Sequence, residues 1–318
     1  MSTTPEAAAR LGDAKPSAAM REVMAVEAKL REGHPAPKDI VEERALRASI
    51  CAYWSEGTPV PHQTTDVSIT GHAGGVRARV YRPTAAEAAP MLLLIHGGGW
   101  AFGSIEETEP LARHLAAKTG MVVVSTSYRL APENPFPAGL IDCEATLRWI
   151  RTEGRRHGGD PSRLAVGGAS AGANLAAAVA QRAAPSTFAA QLLFYGVLGN
   201  SFDTPSYLHF GDGRFGLSRD RMKMFFDLYA PTDKVNDPAI TPMNGNLATI
   251  PPTWVCAAEC DVLYDDSVQF YEKLRALRCG DEFVLAKGAN HGFINRVRHL
   301  PVAKDMIDSA AAFLKAKL

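Results

Sequence analysis

Residues 164–174 read LAVGGASAGAN, a short apolar run that passes through small residues into a segment with helical spacing. Within this stretch, Gly168–Gly172 has the form G-x-S-x-G, which places a serine on a sharp turn between a strand and a helix. The flanking glycines allow a strained backbone, and a helix N-terminus favours negative charge that develops nearby. The stretch therefore predicts an α/β fold in which Ser170 is a nucleophile.

Short apolar runs alternate with helical segments through most of the chain, which predicts an α/β protein. Most runs are continuous, as in parallel strands buried on both faces, whereas the first two alternate in polarity and pair across a glycine-rich turn at 71–75. We predict a mostly parallel sheet of about eight strands flanked by helices. The predicted strands are Val67–Ile69, Val76–Tyr81, Met91–Ile95, Val122–Ser125, Leu164–Val166, Leu192–Tyr195, Thr253–Ala258 and Phe283–Leu285. The predicted helices of the core are Pro110–Thr119, Leu140–His157, Asn174–Ala184, Leu263–Leu277 and Val302–Leu318.

Two further regions predict a helical cap over the sheet. Apolar residues recur at helical spacing over Ser17–Arg31 and Lys38–Tyr53, ahead of the first strand. Roughly sixty residues separate the predicted strands that end at Tyr195 and begin at Thr253, far more than a crossover needs, and they include a helical stretch at Leu217–Tyr229. Long insertions after a strand often cover a site. We predict an N-terminal cap segment at 1–60, a core at 61–198 and 248–318, and a cap insertion at 199–247.

The composition of the 318-residue chain argues against several classes of partner. Lys plus Arg and Asp plus Glu number 34 each, so no global field attracts nucleic acid or an anionic membrane. The N-terminus has no apolar signal segment, so we expect a cytoplasmic protein without stable membrane association. The five cysteines lack zinc spacing, so we expect reduced thiols, no metal and a small, weakly charged ligand.

The glycine run HGGGW at 96–100 follows the predicted strand Met91–Ile95. Consecutive glycines are unfavourable unless the backbone must approach a ligand closely, and such a loop supplies oxyanion-hole donors in acyl-transfer enzymes. We assign the donors to the amides of Gly98 and Gly99 in this loop and to the amide of Ala171, the residue after the predicted nucleophile. A phosphate-binding loop is the alternative, but no Gly-Lys-Ser/Thr or G-x-G-x-x-G pattern follows. His96 is interpreted as a brace for the loop.

An acid and a base are predicted downstream of the serine. Asp261 lies just beyond the strand Thr253–Ala258, and His291 lies in the loop that follows the last predicted strand. The order Ser170, Asp261, His291 is that of α/β hydrolases rather than of the other serine-triad scaffolds. Asp265 and Asp266 are interpreted as solvated or first-turn helix residues.

Together these motifs resemble the hormone-sensitive-lipase-like esterases of the α/β-hydrolase superfamily. The resemblance extends from about Arg79 to the C-terminus and includes YRLAPE at 128–133, FPA at 136–138, AECD at 258–261 and HGF at 291–293. It implies hydrolysis of short- to medium-chain acyl esters, no cofactor, a cap built from N-terminal helices plus an insertion, and dimer formation. It also implies structural roles for Glu133 and Asp142. Members usually have aspartate before the nucleophile, whereas this chain has Ala169.

Three other functions fit parts of the pattern. An amidase or aryl-formamide hydrolase uses the same triad, and only pocket shape and leaving-group protonation distinguish it. A non-catalytic receptor, like the plant gibberellin receptors that this family resembles, lacks the histidine that is present here as His291. A lid-gated lipase would expose apolar surface, for which Phe225 and Phe226 are candidates, although their helical spacing favours packing. The residues expected to line the pocket are Trp100, Tyr195, Tyr207 and Phe210.

Overall fold

A computed structural model of the protein describes residues 11–70, 75–278 and 280–318, so most of the predicted turn at 71–75 and Cys279 lie outside the described residues. The described chain forms an eight-stranded sheet with the strand order β1-β2-β4-β3-β5-β6-β7-β8. The β1–β2 and β2–β4 pairs are antiparallel, and the remaining pairs are parallel. The predicted fold class is confirmed. The strands are β1 (Gln63–Ile69), β2 (Val76–Arg82), β3 (Ala89–Ile95), β4 (Val122–Thr126), β5 (Gly159–Ala169), β6 (Ala190–Phe194), β7 (Thr253–Cys260) and β8 (Glu282–Asn290).

Helices cover both faces of the sheet and also precede it. In chain order they are α1 (Ala18–Arg31), α2 (Ile40–Ser55), α3 (Ile105–Thr119), α4 (Ala138–Glu153), α5 (Ala171–Arg182), α6 (Pro205–Phe210), α7 (Arg219–Tyr229), α8 (Tyr264–Leu277) and α9 (Pro301–Lys317). Short 3-10 turns occur at Gly154–His157, Thr232–Lys234, Pro242–Asn244 and Phe293–Asn295.

Local capping explains where several helices begin. The Ser17 hydroxyl accepts a hydrogen bond from the amide of Met20 at the start of α1, which satisfies one of the amides that a helix N-terminus leaves free. The predicted start of α3 at Pro110 is wrong. Ser104 caps this helix by accepting from the amide of Glu107, and Pro110 is accommodated inside it.

The core lies on both faces of the sheet because the central strands are buried along their whole length. In β3, Leu92 and Leu94 pack into one apolar cluster with α3 and α9, whereas Met91, Leu93 and Ile95 pack into the opposite cluster with α4, α5 and α8. Full burial of one such side chain contributes about 1.5–3 kcal/mol. The buried sheet therefore provides a rigid platform for the residues at its carboxyl edge.

The helices α1, α2 and α7 lie at that carboxyl edge, where their side chains line one cavity with the loops that follow the strands. Arg44 joins α2 to the core, because its guanidinium donates to the carbonyl oxygens of Ala101 and Ala131, each at 2.8 Å. Phe225 and Phe226 of α7 are buried rather than exposed. The division into cap and core segments at 1–60, 61–198, 199–247 and 248–318 stays a prediction.

Candidate active site

Ser170 lies between the end of β5 and the start of α5 with a left-handed backbone conformation, φ 57° and ψ −122°. Its amide donates to the carbonyl oxygen of Phe194 at 2.9 Å, which joins the turn to the neighbouring strand. The turn also approaches β3 so closely that a Cβ atom on Gly172 would lie 2.2 Å from the carbonyl oxygen of Ile95. The strained turn thus holds the serine hydroxyl at the carboxyl edge of the sheet.

The structure brings the three predicted catalytic side chains into one hydrogen-bonded chain. The distance from Ser170 Oγ to His291 Nε2 is 2.8 Å, and that from His291 Nδ1 to Asp261 Oδ2 is 2.7 Å. Because an ionised carboxylate only accepts hydrogen bonds, Nδ1 carries the ring proton and Nε2 accepts from the serine. Asp261 is 2% exposed and also accepts from the amide of Leu263 at 3.1 Å, which fixes its orientation.

The two other carboxylates near Asp261 have different partners. Asp265 accepts from the amide of Ser206 at 2.7 Å, and Asp266 accepts from the amides of Leu198 and Gly199 at 3.0 and 2.8 Å. Both belong to the first turn of α8 as predicted, but both are buried, so the interpretation of them as solvated is wrong. Burial raises the pKa of Asp266 to about 7.

Three backbone amides lie beside the serine, two from the glycine loop and one from the first residue of α5. Gly98 and Gly99 have φ values of 121° and 60°, and a Cβ atom on Gly99 would lie 2.5 Å from the ring of Phe225. Within the described part of the chain, the amides of Gly98, Gly99 and Ala171 have no hydrogen-bond acceptor. These are the donors that the sequence assigns to an oxyanion hole.

His96 is positioned to support this loop rather than to take a proton from substrate. Its ring stacks on Tyr128 with centroids 4.2 Å apart, and its Nδ1 donates to the carbonyl oxygen of Gly97 at 2.8 Å. Burial lowers the pKa of His96, so the ring is neutral near pH 7. The Tyr128 hydroxyl donates to the carbonyl oxygen of His96 at 3.1 Å, and this hydrogen bond further stabilises the loop.

The two carboxylates with implied structural roles form ion pairs. Asp142 is buried and holds the backbone amide and the guanidinium of Arg129, with the shortest contacts at 2.9 Å. Glu133 binds Arg44 at 2.8 Å, which adds a further link between α2 and the core.

A cavity of about 480 Å³ opens above the serine, and Tyr195 is part of its wall as predicted. The Tyr195 ring lies 5.0 Å from that of His291, centroid to centroid. Trp100, Tyr207 and Phe210 do not line this cavity, so the prediction that they do is wrong. Each is almost fully buried in one apolar cluster.

Trp100 packs against other buried side chains instead of lining the cavity. Its ring stacks on Tyr229 with centroids 4.4 Å apart, and its indole nitrogen donates to Asn174 Oδ1 at 3.3 Å. The Trp100 side chain is therefore directed away from the open space above Ser170.

Comparison with known proteins places the chain in a family. Residues 92–295 match a family described as having the alpha/beta hydrolase fold. The chain belongs to this family.

Relatives of this hydrolase are named as esterases. Carboxylesterase NlhH of Mycobacterium tuberculosis is 35% identical over 254 residues, which cover 76% of this chain and 79% of that protein. Ethyl acetate hydrolase of Pseudomonas putida is 34% identical over 245 residues, which cover 74% and 76%. The solved structure of a hyperthermophilic esterase from the archaeon Pyrobaculum calidifontis has a TM-score of 0.86 and 31% identity, covering 95% of this chain and 98% of that one. The family resemblance and the predicted enzyme class, a carboxylic-ester hydrolase, are confirmed.

Sequence reasoning missed the charged side chains in the cavity wall of this hydrolase. Four arginines and three glutamates line the cavity together with the glycine loop. They come from α1, α2, α3, α7 and the segment after His291, and no spacing rule connects such distant positions. The charged wall residues are Arg31, Arg47, Arg221, Arg296, Glu27, Glu43 and Glu107.

The described residues contain neither a cluster of metal-ligand side chains nor a helix that could span a membrane. No group of three or more His, Cys, Asp or Glu side chains that could hold a metal ion occurs within residues 11–70, 75–278 and 280–318. Over the same residues, every helix is too short or too polar to cross a membrane. The described cysteines, Cys51, Cys143, Cys256 and Cys260, are free thiols.

Proposed function

We propose that this hydrolase is a serine carboxylesterase that cleaves short- to medium-chain acyl esters through an acyl-enzyme intermediate. The observation that carries the proposal is the hydrogen-bonded chain from Ser170 through His291 to Asp261, in which Ser170 and His291 line the cavity. A cavity of about 480 Å³ suits a small ester. The relative named ethyl acetate hydrolase also acts, by its name, on a short ester.

The first step is the attack of Ser170 on the ester carbonyl. A serine hydroxyl is a weak nucleophile until a base removes its proton, and Nε2 of His291 lies 2.8 Å from Oγ. As the bond from Oγ to the carbonyl carbon forms, the proton moves to Nε2. Asp261 stabilises the resulting imidazolium through Nδ1. Collapse of the tetrahedral intermediate then breaks the bond to the alcohol oxygen, which takes the proton from His291.

The tetrahedral intermediate carries negative charge on the former carbonyl oxygen. The amides of Gly98, Gly99 and Ala171 are the donors we assign to this oxygen. Gly98 and Gly99 line the cavity with Ser170, Ala171 follows Ser170 in the chain, and none of the three amides has an acceptor among the described residues. Removal of one oxyanion-hole donor typically raises the barrier by about 3–4 kcal/mol. Their role is to stabilise the charge in the transition state more strongly than in the bound ester.

In the second half of the reaction, water replaces the alcohol. His291 removes a proton from water, the water oxygen attacks the acyl carbon, and the bond to Oγ breaks as the proton returns to Ser170. The products are a carboxylic acid and an alcohol. A non-catalytic receptor is not favoured, because the base that such a receptor lacks is present and hydrogen-bonded to the serine.

The proposal is tested with p-nitrophenyl acetate and butyrate, followed by a series of longer acyl chains. We expect turnover that falls beyond medium chain length, and Ser170→Ala should remove nearly all of it while leaving the circular dichroism spectrum unchanged. Asp261→Asn should retain a small residual rate, because the serine, the base and the oxyanion donors remain.

Two results would contradict the assignment. Turnover by Ser170→Ala at the wild-type rate would exclude the serine as nucleophile. Full activity in Asp261→Asn together with loss of activity in Asp265→Asn would show that the acid is misassigned.

A further inference from the structure

The arginines of the cavity wall differ in how well their charges are compensated. Three of the four have a carboxylate partner in the same wall. The pairs are Arg31 with Glu43 at 2.8 Å, Arg47 with Glu107 at 2.5 Å and Arg296 with Glu27 at 2.5 Å.

Arg221 is the exception. It lies in the first turn of α7 and lines the cavity, yet no carboxylate lies within ion-pair distance of it in the part of the chain that the structure describes. Its guanidinium is 5.4 Å from the ring centre of Phe102 and 5.6 Å from that of Phe225, while the side chain stays exposed to solvent. Glu43 is the acid that acts on it most strongly, but Arg31 occupies both carboxylate oxygens of Glu43, at 3.2 and 2.8 Å.

The surroundings of Arg221 leave its positive charge undercompensated. Partial burial lowers the pKa of Arg221, and the positive charges of Arg47 and Arg31 lower it further. The negative charge of Glu43 acts in the opposite direction. A cation in the first turn of a helix is also opposed by the helix dipole. An anion that binds at this position would offset the repulsion from the two neighbouring arginines and from the helix dipole, so the cavity favours a negatively charged group there.

We propose that this cavity selects esters that carry a second, free carboxylate, and that Arg221 binds this carboxylate while Ser170 attacks the ester carbonyl. The inference rests on the proposed esterase function and names its substrate class. A guanidinium presents a planar fork of N–H donors that matches the two oxygens of a carboxylate. The proposal differs from the expectation from net charge, because a neutral chain can still present one local cation to its ligand.

The free carboxylate can belong to the acyl part or to the alcohol part of the ester, and two substrate pairs distinguish these cases. The first pair is monoethyl glutarate and the ethyl ester of glutaric acid monoamide. The second pair is 4-acetoxybutanoate and 4-acetoxybutanamide. Within each pair a charged carboxylate is replaced by a neutral amide of the same shape, so the ratio of the two kcat/KM values measures the preference for charge.

We expect wild-type protein to prefer the carboxylate in at least one pair at pH 7.5 and low ionic strength. Arg221→Gln should lower that ratio about tenfold or more, since a hydrogen-bonded charge is lost, and Arg221→Lys should retain part of it. Lys223→Gln is the matched control, because Lys223 is an exposed cation on the same helix that does not line the cavity. Added sodium chloride should lower the wild-type ratio by screening.

The inference is overturned if wild-type protein hydrolyses the neutral esters but shows no preference for the carboxylate in either pair. It is also overturned if Arg221→Gln and Lys223→Gln change the ratio equally, because the effect would then be one of general charge. Different results would contradict the proposed function itself. Either no ester would be hydrolysed, or wild-type protein and Ser170→Ala would hydrolyse the esters at the same rate.

Discussion

The buried carboxylate of Asp266 gives the most direct test of how charge and burial are balanced around the site. Asp266 is 3% exposed and accepts hydrogen bonds from the amides of Leu198 and Gly199. Removal of water raises its pKa from 3.8 to about 7, because these two hydrogen bonds do not fully replace hydration. Asp266→Asn keeps an oxygen that can accept from both amides but removes the ionisation.

The sign and size of the effect follow from this pKa. A carboxyl group whose pKa is higher in the folded state stabilises the fold when protonated, so wild-type protein loses stability as pH rises from 3.8 to about 7. The shift of about 3 units corresponds to about 4 kcal/mol, at about 1.4 kcal/mol per unit. A comparison of pH 5 with pH 8 covers the part of this loss that lies between pH 5 and the pKa of about 7, which is about 2 units or about 3 kcal/mol. The Asp266→Asn variant does not undergo this loss. The free energy of unfolding of the variant minus that of wild type should therefore be about 3 kcal/mol larger at pH 8 than at pH 5.

The measurement is urea-induced unfolding followed by tryptophan fluorescence, at pH 5 and pH 8, for both proteins. Other titrating groups are common to both proteins, so the change of their difference with pH reports on this carboxylate and on its interaction with Asp261 and Asp265. Asp220→Asn, in the exposed first turn of α7, serves as the control for the removal of a solvated carboxylate. An equal difference at both pH values, or a variant less stable than wild type at pH 8, would refute the reasoning.

Two further predictions concern the loop and its support. Gly99→Ala should lower kcat at least tenfold with little change in KM, because the new methyl group would meet the ring of Phe225 and displace an assigned oxyanion donor; unchanged kcat would remove Gly99 from that role. Asn174→Ala should lower the free energy of unfolding by about 3 kcal/mol, since it leaves two buried backbone carbonyl groups and the indole of Trp100 without their partner. Urea unfolding measures this loss, and the exposed Asn246→Ala should show a much smaller one; equal losses would count against the bonded role of Asn174.

The central strands could be predicted because burial on both faces leaves a continuous apolar run. The prediction Met91–Ile95 differs from β3, Ala89–Ile95, only at its first residues. The position of β4 between β2 and β3 could not be predicted, since strand order depends on long-range packing that no local pattern records. The short helix α6 was also missed, because Pro205–Phe210 forms fewer than two turns and has no periodic apolar stripe.

The order of the motifs was enough to select Ser170, Asp261 and His291, which the structure brings into hydrogen-bond contact. Sequence order works here because strand ends in a parallel sheet meet at one edge. The same reasoning failed for pocket residues such as Trp100, because a sequence does not reveal whether an aromatic ring faces open space or packs against another ring. The charged wall was missed for a related reason, since its members come from separate segments.

The charged side chains of the cavity wall and the hydrogen-bonded chain of Ser170, Asp261 and His291 belong to different parts of the fold. Ser170, Asp261 and His291 follow the ends of strands in the sheet. Arg31, Arg47 and Arg221 are attached to helices outside the sheet. A substitution on α1, α2 or α7 therefore leaves the spacing of Ser170 and His291 intact. Under the proposed function, a substitution in the cavity wall changes which ester is accepted and leaves the reaction itself unchanged, so substrate preference and reaction can evolve separately.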